Sequence, residues 1–152
     1  MHTSPSMLVA SHLIQRADRD RNVISAVKLN LLTYICHGWN LSTYGEPLSL
    51  TPIVAKRFGP YLPELAGIEG STSFAVTDEH SDQTPMEEDQ RVAEIVEEVY
   101  QGYGGFSDLE LFQLTRHQGT PWRAVWDDDD SGEAVISDEL IREHYAGFSQ
   151  TH

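Results

Sequence analysis

The chain has 152 residues and a formal net charge of −14, from 24 acidic and 10 basic residues. This length suits one domain with a sizeable core, and 39% hydrophobic residues argue against a globally disordered chain. The shortage of Lys and Arg argues against nucleic acid or anionic lipid as the main ligand, because phosphate binding needs clustered positive charge. The acidic charge favours either a basic protein partner, whose encounter it would steer, or a solvated surface that keeps the protein soluble.

The single cysteine, Cys36, excludes an internal disulfide and a metal site built from several cysteines. It lies among apolar residues at helical spacing, so we expect a small buried side chain there. The N-terminal residues lack the pattern of a signal peptide, and no apolar run is long enough to span a membrane. A cytoplasmic location without membrane contact is therefore expected.

The first two helices are predicted from apolar spacing and from their start signals. Pro5 is typical of a first helical position, and the stripe that follows it consists of Met7, Ala10, Leu13, Ile14 and Ala17. Ser25 is expected to cap a second helix that ends near Thr43. This second helix is apolar around most of its circumference, with a narrow polar face made of Asn30, Thr33, His37 and Asn40. Such a helix belongs at the centre of a fold, with other helices packed around it.

The segment after the central helix is rich in turn residues. Leu48–Leu50 is predicted to be a short extended piece, and Ile53–Phe58 is either a single helical turn or a second extended piece. The run Phe58–Pro63, with Gly59 and two prolines, indicates a rigid corner. Residues 67–83 have the composition of a mobile loop.

Capping signals predict the remaining helices. Thr84 and Pro85 begin one helix, and its apolar face consists of Val92, Ile95, Val96, Val99 and Tyr103. Ser107 begins a second helix and forms a capping box with Glu110. Gly119 is the natural end of this helix. Thr120 opens a short third, and Ser137 caps a last helix that runs through Tyr145. We therefore predict a mainly α, compact single domain over residues 1–152, with five or six helices around a buried central helix and at most a minor pair of short β-strands.

No motif of a catalytic or cofactor site is found. The four aspartates at 127–130 lack the alternating ligands and distal Glu of a calcium loop, so a solvated turn is favoured. A metal site built from His37, His117 and His144 is one alternative, but ordinary surface or hydrogen-bonding histidines are favoured. We therefore predict no catalytic residue, no metal and no cofactor, and we do not expect an enzyme.

Aromatic residues lie beside the predicted corners in three pairs: Trp39 with Tyr44, Phe58 with Tyr61, and Trp122 with Trp126. Aromatic rings combined with Arg are the usual energetic anchors of protein interfaces. The alternative is that the rings are core residues, which we favour for Trp39. The candidates for contact with a partner protein are Arg57, Phe58, Tyr61, Trp122 and Arg123.

Five blocks of residues follow one another in a recognisable order: Lys28–Trp39, Tyr44–Leu48, Arg57–Pro63, Leu111–Trp122 and Ile136–Tyr145. Over about Met7–Phe148 they resemble the Panacea domain of the SocA-like, phage-associated antitoxins. Arg116 stands where that family often has a His. The resemblance implies a mostly helical antitoxin of a toxin–antitoxin system, which neutralises a cognate protein toxin by direct binding.

Other functions stay open at this level. One branch of the family implies a proteolytic adaptor that delivers the toxin to an ATP-dependent protease. A metal-dependent enzyme would use the three histidines named above, and a mimic of nucleic acid would need its carboxylates gathered on one face. We expect a binding module, and a basic toxin would be complementary to the acidic surface.

Overall fold

A computed structural model describes residues 5–57, 59–66, 86–126 and 134–149. The helices in these ranges are α1 (Pro5–Arg19), α2 (Ala26–Tyr44), α3 (Met86–Tyr103), α4 (Asp108–Arg116), α5 (Pro121–Val125) and α6 (Asp138–Ser149). The strands are β1 (Ile53–Lys56), β2 (Gly59–Tyr61) and β3 (Ala134–Ile136), and a 3-10 turn covers Pro63–Leu65. The mainly α fold predicted from the sequence is confirmed. The predictions for Phe58, for the loop at 67–83, for the helix start at 84–85 and for the aspartates at 127–130 lie outside the described residues.

Helix α2 begins and ends where its capping residues predict. The hydroxyl of Ser25 accepts a hydrogen bond from the Lys28 N–H at 3.1 Å, which satisfies one of the free donors of the first turn. At the other end Gly45 adopts a φ of 73°, and its N–H donates to the Leu41 carbonyl. Glycine suits this left-handed position because it has no Cβ. None of the described helices is long and apolar enough to cross a membrane.

Helix α2 is the centre of the fold. All its residues between Leu29 and Leu41 are buried except the partly buried Trp39. Helices α1, α3, α4 and α6 and strand β2 all pack against it. The prediction of a buried central helix surrounded by amphipathic helices is therefore confirmed.

The polar side chains of α2 are also buried, and they form hydrogen bonds with backbone groups of the segment that follows the helix. The side-chain amide of Asn30 donates to the Pro60 carbonyl at 2.8 Å, and its oxygen accepts from the Leu62 N–H at 3.0 Å. One turn before the helix end, the Asn40 amide donates to the Glu46 carbonyl at 2.8 Å. These side chains therefore fix both ends of the segment that follows α2.

His37 holds the middle of the same segment. Its Nδ1 accepts hydrogen bonds from the backbone N–H groups of Leu48 and Ser49 at 3.0 and 3.1 Å. Since Nδ1 accepts twice, the ring proton is on Nε2, which donates to the Asp138 carboxylate at 2.9 Å. One fully buried imidazole thus joins α2, the turn after it and the start of α6.

The small sheet has the order β2-β1-β3, and both pairings are antiparallel. The extended alternative for Ile53–Phe58 is confirmed over Ile53–Lys56, while Ala134–Ile136 adds a third strand to the expected pair. Leu48–Leu50 does not form a strand, because its backbone N–H groups bind the side chains of His37 and Glu64 instead. Strand β2 packs against α2 and α4, and β3 packs against α5.

Side-chain caps determine where the later helices begin. Ser107 and Glu110 form the predicted capping box of α4, with both reciprocal hydrogen bonds present. Thr120 caps α5 and Ser137 caps α6 as predicted. The ammonium of Lys28, in the first turn of α2, donates to the Gly104 carbonyl just after α3 at 2.7 Å.

Gly38 allows α6 to pack closely on α2. A Cβ built at this position would overlap the ring of Tyr145. That ring contacts Tyr34 edge-on, with 6.2 Å between centroids, and Trp39 at 5.8 Å. The contact between α2 and α6 therefore depends on the absence of a side chain at residue 38.

We expect Gly38→Ala to destabilise the protein. Alanine favours a helix interior by about 1 kcal/mol, but overpacking a core costs about 1–3 kcal/mol, so we expect a net loss of up to about 2 kcal/mol. The matched control is Gly147→Ala in α6, where no atom of the part of the chain that the structure describes lies within 4 Å of the added Cβ. Chemical denaturation measures the free energy of unfolding of both variants. A Gly38→Ala variant as stable as the control would contradict the packing described here.

Candidate functional site

The candidate residues lie where the β1–β2 hairpin meets the junction of α4 and α5. The indole Nε1–H of Trp122 donates to the backbone carbonyl of Lys56, the last residue of β1, at 2.6 Å. This bond places the hairpin end that continues into Arg57 beside the helix that carries Arg123. The structure therefore brings together two segments that are far apart in the sequence.

Trp122 forms the floor of this region. Only 3% of its surface is exposed, and its ring stacks on Trp126 with 5.2 Å between centroids and 15° between planes. The predicted Trp122–Trp126 pair is thus confirmed. The guanidinium over the Trp122 ring belongs to Arg116, at 5.1 Å from the centroid, and not to the neighbouring Arg123.

The hairpin supplies a second aromatic side chain. Tyr61 is half-buried, and the ammonium of Lys56 lies 5.9 Å from its ring centroid. Gly59 adopts a φ of 134°, which L side chains rarely take, so glycine is required in this turn. A Cβ at Gly59 would lie 3.7 Å from Cγ of Arg116, which shows how closely the turn approaches α4. Phe58 lies outside the described residues.

A local positive charge is the main electrostatic feature of this region. We call it the basic corner, and its members are Lys56, Arg57, Arg116 and Arg123. The corner holds four of the ten Lys and Arg residues of an otherwise acidic chain. Among the described residues, none of the four has a carboxylate within ion-pair distance, whereas Arg16, Arg19 and Arg91 each contact a glutamate. Arg57, Arg116 and Arg123 are also exposed, so their guanidinium groups can bind a partner.

A cavity of about 500 Å³ adjoins the corner, between the α4–α5 turn and α6. Arg123, Glu143 and His144 contribute its charged and titratable groups. Burial lowers the pKa of His144, and the nearby His117 lowers it further, while a hydrogen bond with the Gly119 backbone opposes the shift. The neutral imidazole is therefore favoured.

The hypothetical three-histidine metal site is not assembled. The imidazole of His37 is occupied on both nitrogens, by two backbone N–H groups and by Asp138. Within the described ranges, no group of three or more His, Cys, Asp or Glu residues is placed to hold a metal ion. Burial raises the pKa of the Cys36 thiol far above its ordinary value, so this side chain is a protonated core residue.

The arrangement suits binding to another macromolecule. Planar guanidinium groups bind carboxylates through two parallel hydrogen bonds, and neighbouring rings provide apolar contact area. Sequence reasoning missed Lys56 and Arg116. The position of Lys56 depends on the register of the hairpin, and that of Arg116 depends on the fold between α4 and α5, so neither has a local sequence signal.

The described residues form a small, mainly α domain with a three-stranded antiparallel sheet. Residues 29–123 match the family described as antitoxin SocA-like, Panacea domain. Since the match covers more than half of the chain, the protein belongs to this family, and the resemblance inferred from the ordered blocks is confirmed over residues 29–123. All five candidate contact residues fall inside the matched range. No curated protein and no solved structure is matched by the chain.

Trp122→Ala should strongly destabilise the fold. Removing a buried Trp costs roughly 3–5 kcal/mol, and Trp122→Phe should cost less because it loses mainly the hydrogen bond to Lys56, about 1 kcal/mol. Trp126→Ala is the comparison. Because Trp126 is only partly buried, this variant should lose less free energy of unfolding. Denaturant unfolding measures the free energy of unfolding of the three variants and so gives their order of stability. Unchanged stability of Trp122→Ala would contradict its role as the floor of the corner.

His144 should make stability fall on mild acidification. Its folded-state pKa lies below the ordinary value of 6.5, so the unfolded chain binds the proton first and is favoured as the pH falls through that range. His144→Gln should therefore lose less stability than the wild type between neutral and mildly acidic pH. NMR titration should give a His144 midpoint below 6.5 that rises in His117→Asn. Parallel stability profiles for wild type and His144→Gln would argue against this assignment.

Proposed function

We propose that this protein neutralises a cognate protein toxin by direct binding, and that the basic corner with Tyr61 is the contact surface. Family membership supports an antitoxin role, and the observation that carries the choice of surface is the cluster of exposed guanidinium groups without a carboxylate partner among the described residues. Phe58 lies outside the described residues, and we propose it for the same surface because its neighbours in the sequence are Arg57 and Gly59.

The residues of the surface have different roles. Arg57 and Arg123 are exposed and bind carboxylates or carbonyl groups of the toxin. The half-buried ring of Tyr61 contributes apolar contact at low entropic cost because it is already held in place. Trp122 is buried beneath this surface, and the hydrogen bond from its indole to Lys56 holds the hairpin in place.

The charge of the whole protein acts at longer distance. A net charge of −14 attracts a basic toxin during diffusional encounter. This steering is screened beyond about 10 Å at 0.1 M salt, so the association rate should fall as salt is added. The basic corner then selects, within a basic toxin, a surface that also presents carboxylates.

The test is co-expression of the chain with the product of the neighbouring reading frame. The wild type should rescue growth and bind that product. Arg57→Ala/Arg123→Ala should bind it roughly 30-fold more weakly, which corresponds to about 2 kcal/mol for an interface anchor pair. Arg142→Ala is the matched control, because Arg142 is exposed on α6 and outside the corner. Absence of rescue by the wild type would refute the antitoxin role, and full affinity of the double variant would refute the surface.

The same cells distinguish simple neutralisation from proteolytic delivery. If the chain presents the toxin to an ATP-dependent protease, the toxin's half-life should shorten when the chain and the protease are both present. An unchanged half-life together with rescue supports neutralisation by binding, which is the mechanism we propose.

A further inference from the structure

A second concave surface lies between α2, α3 and α4. Its volume is about 440 Å³, and its apolar side chains are Trp39, Val99, Tyr103, Phe106 and Leu114. We call it the apolar groove. Leu114 is two residues before Arg116 on α4, and residues at this spacing do not share a helix face. The apolar groove and the basic corner are therefore separate surfaces that meet at one short helix.

The groove is open to a partner. Trp39, Tyr103, Phe106 and Leu114 pack on the core but are only partly buried. At Gly102, in the last turn of α3, an added Cβ would have no atom of the described residues within 4 Å. Binding sites in proteins are mostly concave and lined by apolar side chains, as this groove is.

The surroundings of the groove are acidic. Glu98 lines it, and Glu94 is exposed one turn earlier on the same face of α3. Glu110 is exposed one turn before Leu114 on α4. The ammonium of Lys28, on α2, is bound to the Gly104 carbonyl. Carboxylates thus flank the apolar floor on two helices.

We propose that the apolar groove binds a basic amphipathic helix of the toxin. An amphipathic helix places its apolar side chains in such a groove, and here its Lys or Arg residues would lie beside Glu94, Glu98 and Glu110. The cavity volume falls within the range of ligand pockets, about 300–1,000 Å³, so it accommodates one or two large apolar side chains. This inference rests on the proposed function and names the toxin segment that the acidic chain recognises.

The test uses a variant that fills the groove without disturbing the core. Gly102→Trp adds its side chain in open space and also favours the helix, so the fold should be retained. Gly147→Trp in α6 is the matched control, since its Cβ position is equally free of contacts within the described ranges. Glu98→Lys is a second variant. It reverses a charge at the rim of the groove without filling the groove. Denaturant unfolding checks that all three remain folded.

The probes are short helical peptides with Leu, Phe or Trp at positions i and i+4 and Lys at the flanking positions. Matched peptides carry Glu in place of Lys. In NMR titrations the Lys peptides should shift the Trp39 indole and Gly102 amide signals of the wild type, and the Trp39 signal of Gly147→Trp. Binding should be at least ten-fold weaker for Gly102→Trp, for Glu98→Lys and for the Glu peptides. Equal binding of both peptide sets, binding by Gly102→Trp at wild-type affinity, or no shift with any peptide would overturn the proposal.

Growth rescue separates this inference from the proposed function. If Gly102→Trp rescues as well as the wild type while Arg57→Ala/Arg123→Ala does not, the groove is not used and the antitoxin role stands. If the wild type itself does not rescue, the antitoxin role fails, and the peptide titrations still decide whether the groove takes a basic helix. Loss of rescue in Gly102→Trp but not in Gly147→Trp supports both the antitoxin role and the use of the groove.

Discussion

The fold depends on three polar side chains of α2 that bind backbone instead of water. Asn30, His37 and Asn40 together hold the segment from residue 46 to residue 62. A buried N–H or carbonyl without a partner costs about 1–3 kcal/mol, so displacing this segment by even one residue would be penalised several times over. Apolar contacts alone tolerate such shifts because they have little directional preference. The polar face of α2 therefore determines the position of everything that follows the central helix.

That constraint extends to the candidate contact surface. Asn30 fixes β2 from below, while the indole of Trp122 binds the end of β1, so both strands of the hairpin are tied to the helical core. A turn held in this way loses little conformational entropy when a partner binds to it. His37 adds a link to Asp138 at the start of α6. Positioning of the basic corner and stability of the core are consequently two effects of one hydrogen-bond network.

Local signals in the sequence were sufficient for the helices but not for the contacts between them. Capping residues and apolar stripes gave their boundaries because both act within one or two turns. The choice between turn and strand at residue 53 depended on pairing with residues 134–136, which no local pattern encodes. Likewise the cation over Trp122 comes from Arg116 on the preceding helix and not from the adjacent Arg123. The polar face of α2 was visible in the sequence, but polarity alone does not distinguish a side chain that binds solvent from one that binds buried backbone.

The proposed selectivity follows from opposite charges on two adjoining surfaces. A net charge of −14 alone would attract any basic protein, which would be a poor basis for recognising one toxin. The basic corner repels a uniformly basic surface, whereas the apolar groove with its carboxylates disfavours an acidic one. Because Leu114 and Arg116 place both surfaces on the short helix α4, a partner that satisfies both must present a basic helix and a carboxylate patch at a fixed separation. Discrimination among basic proteins then depends on this spacing, which the rigid contact of α4 with the hairpin and α2 maintains.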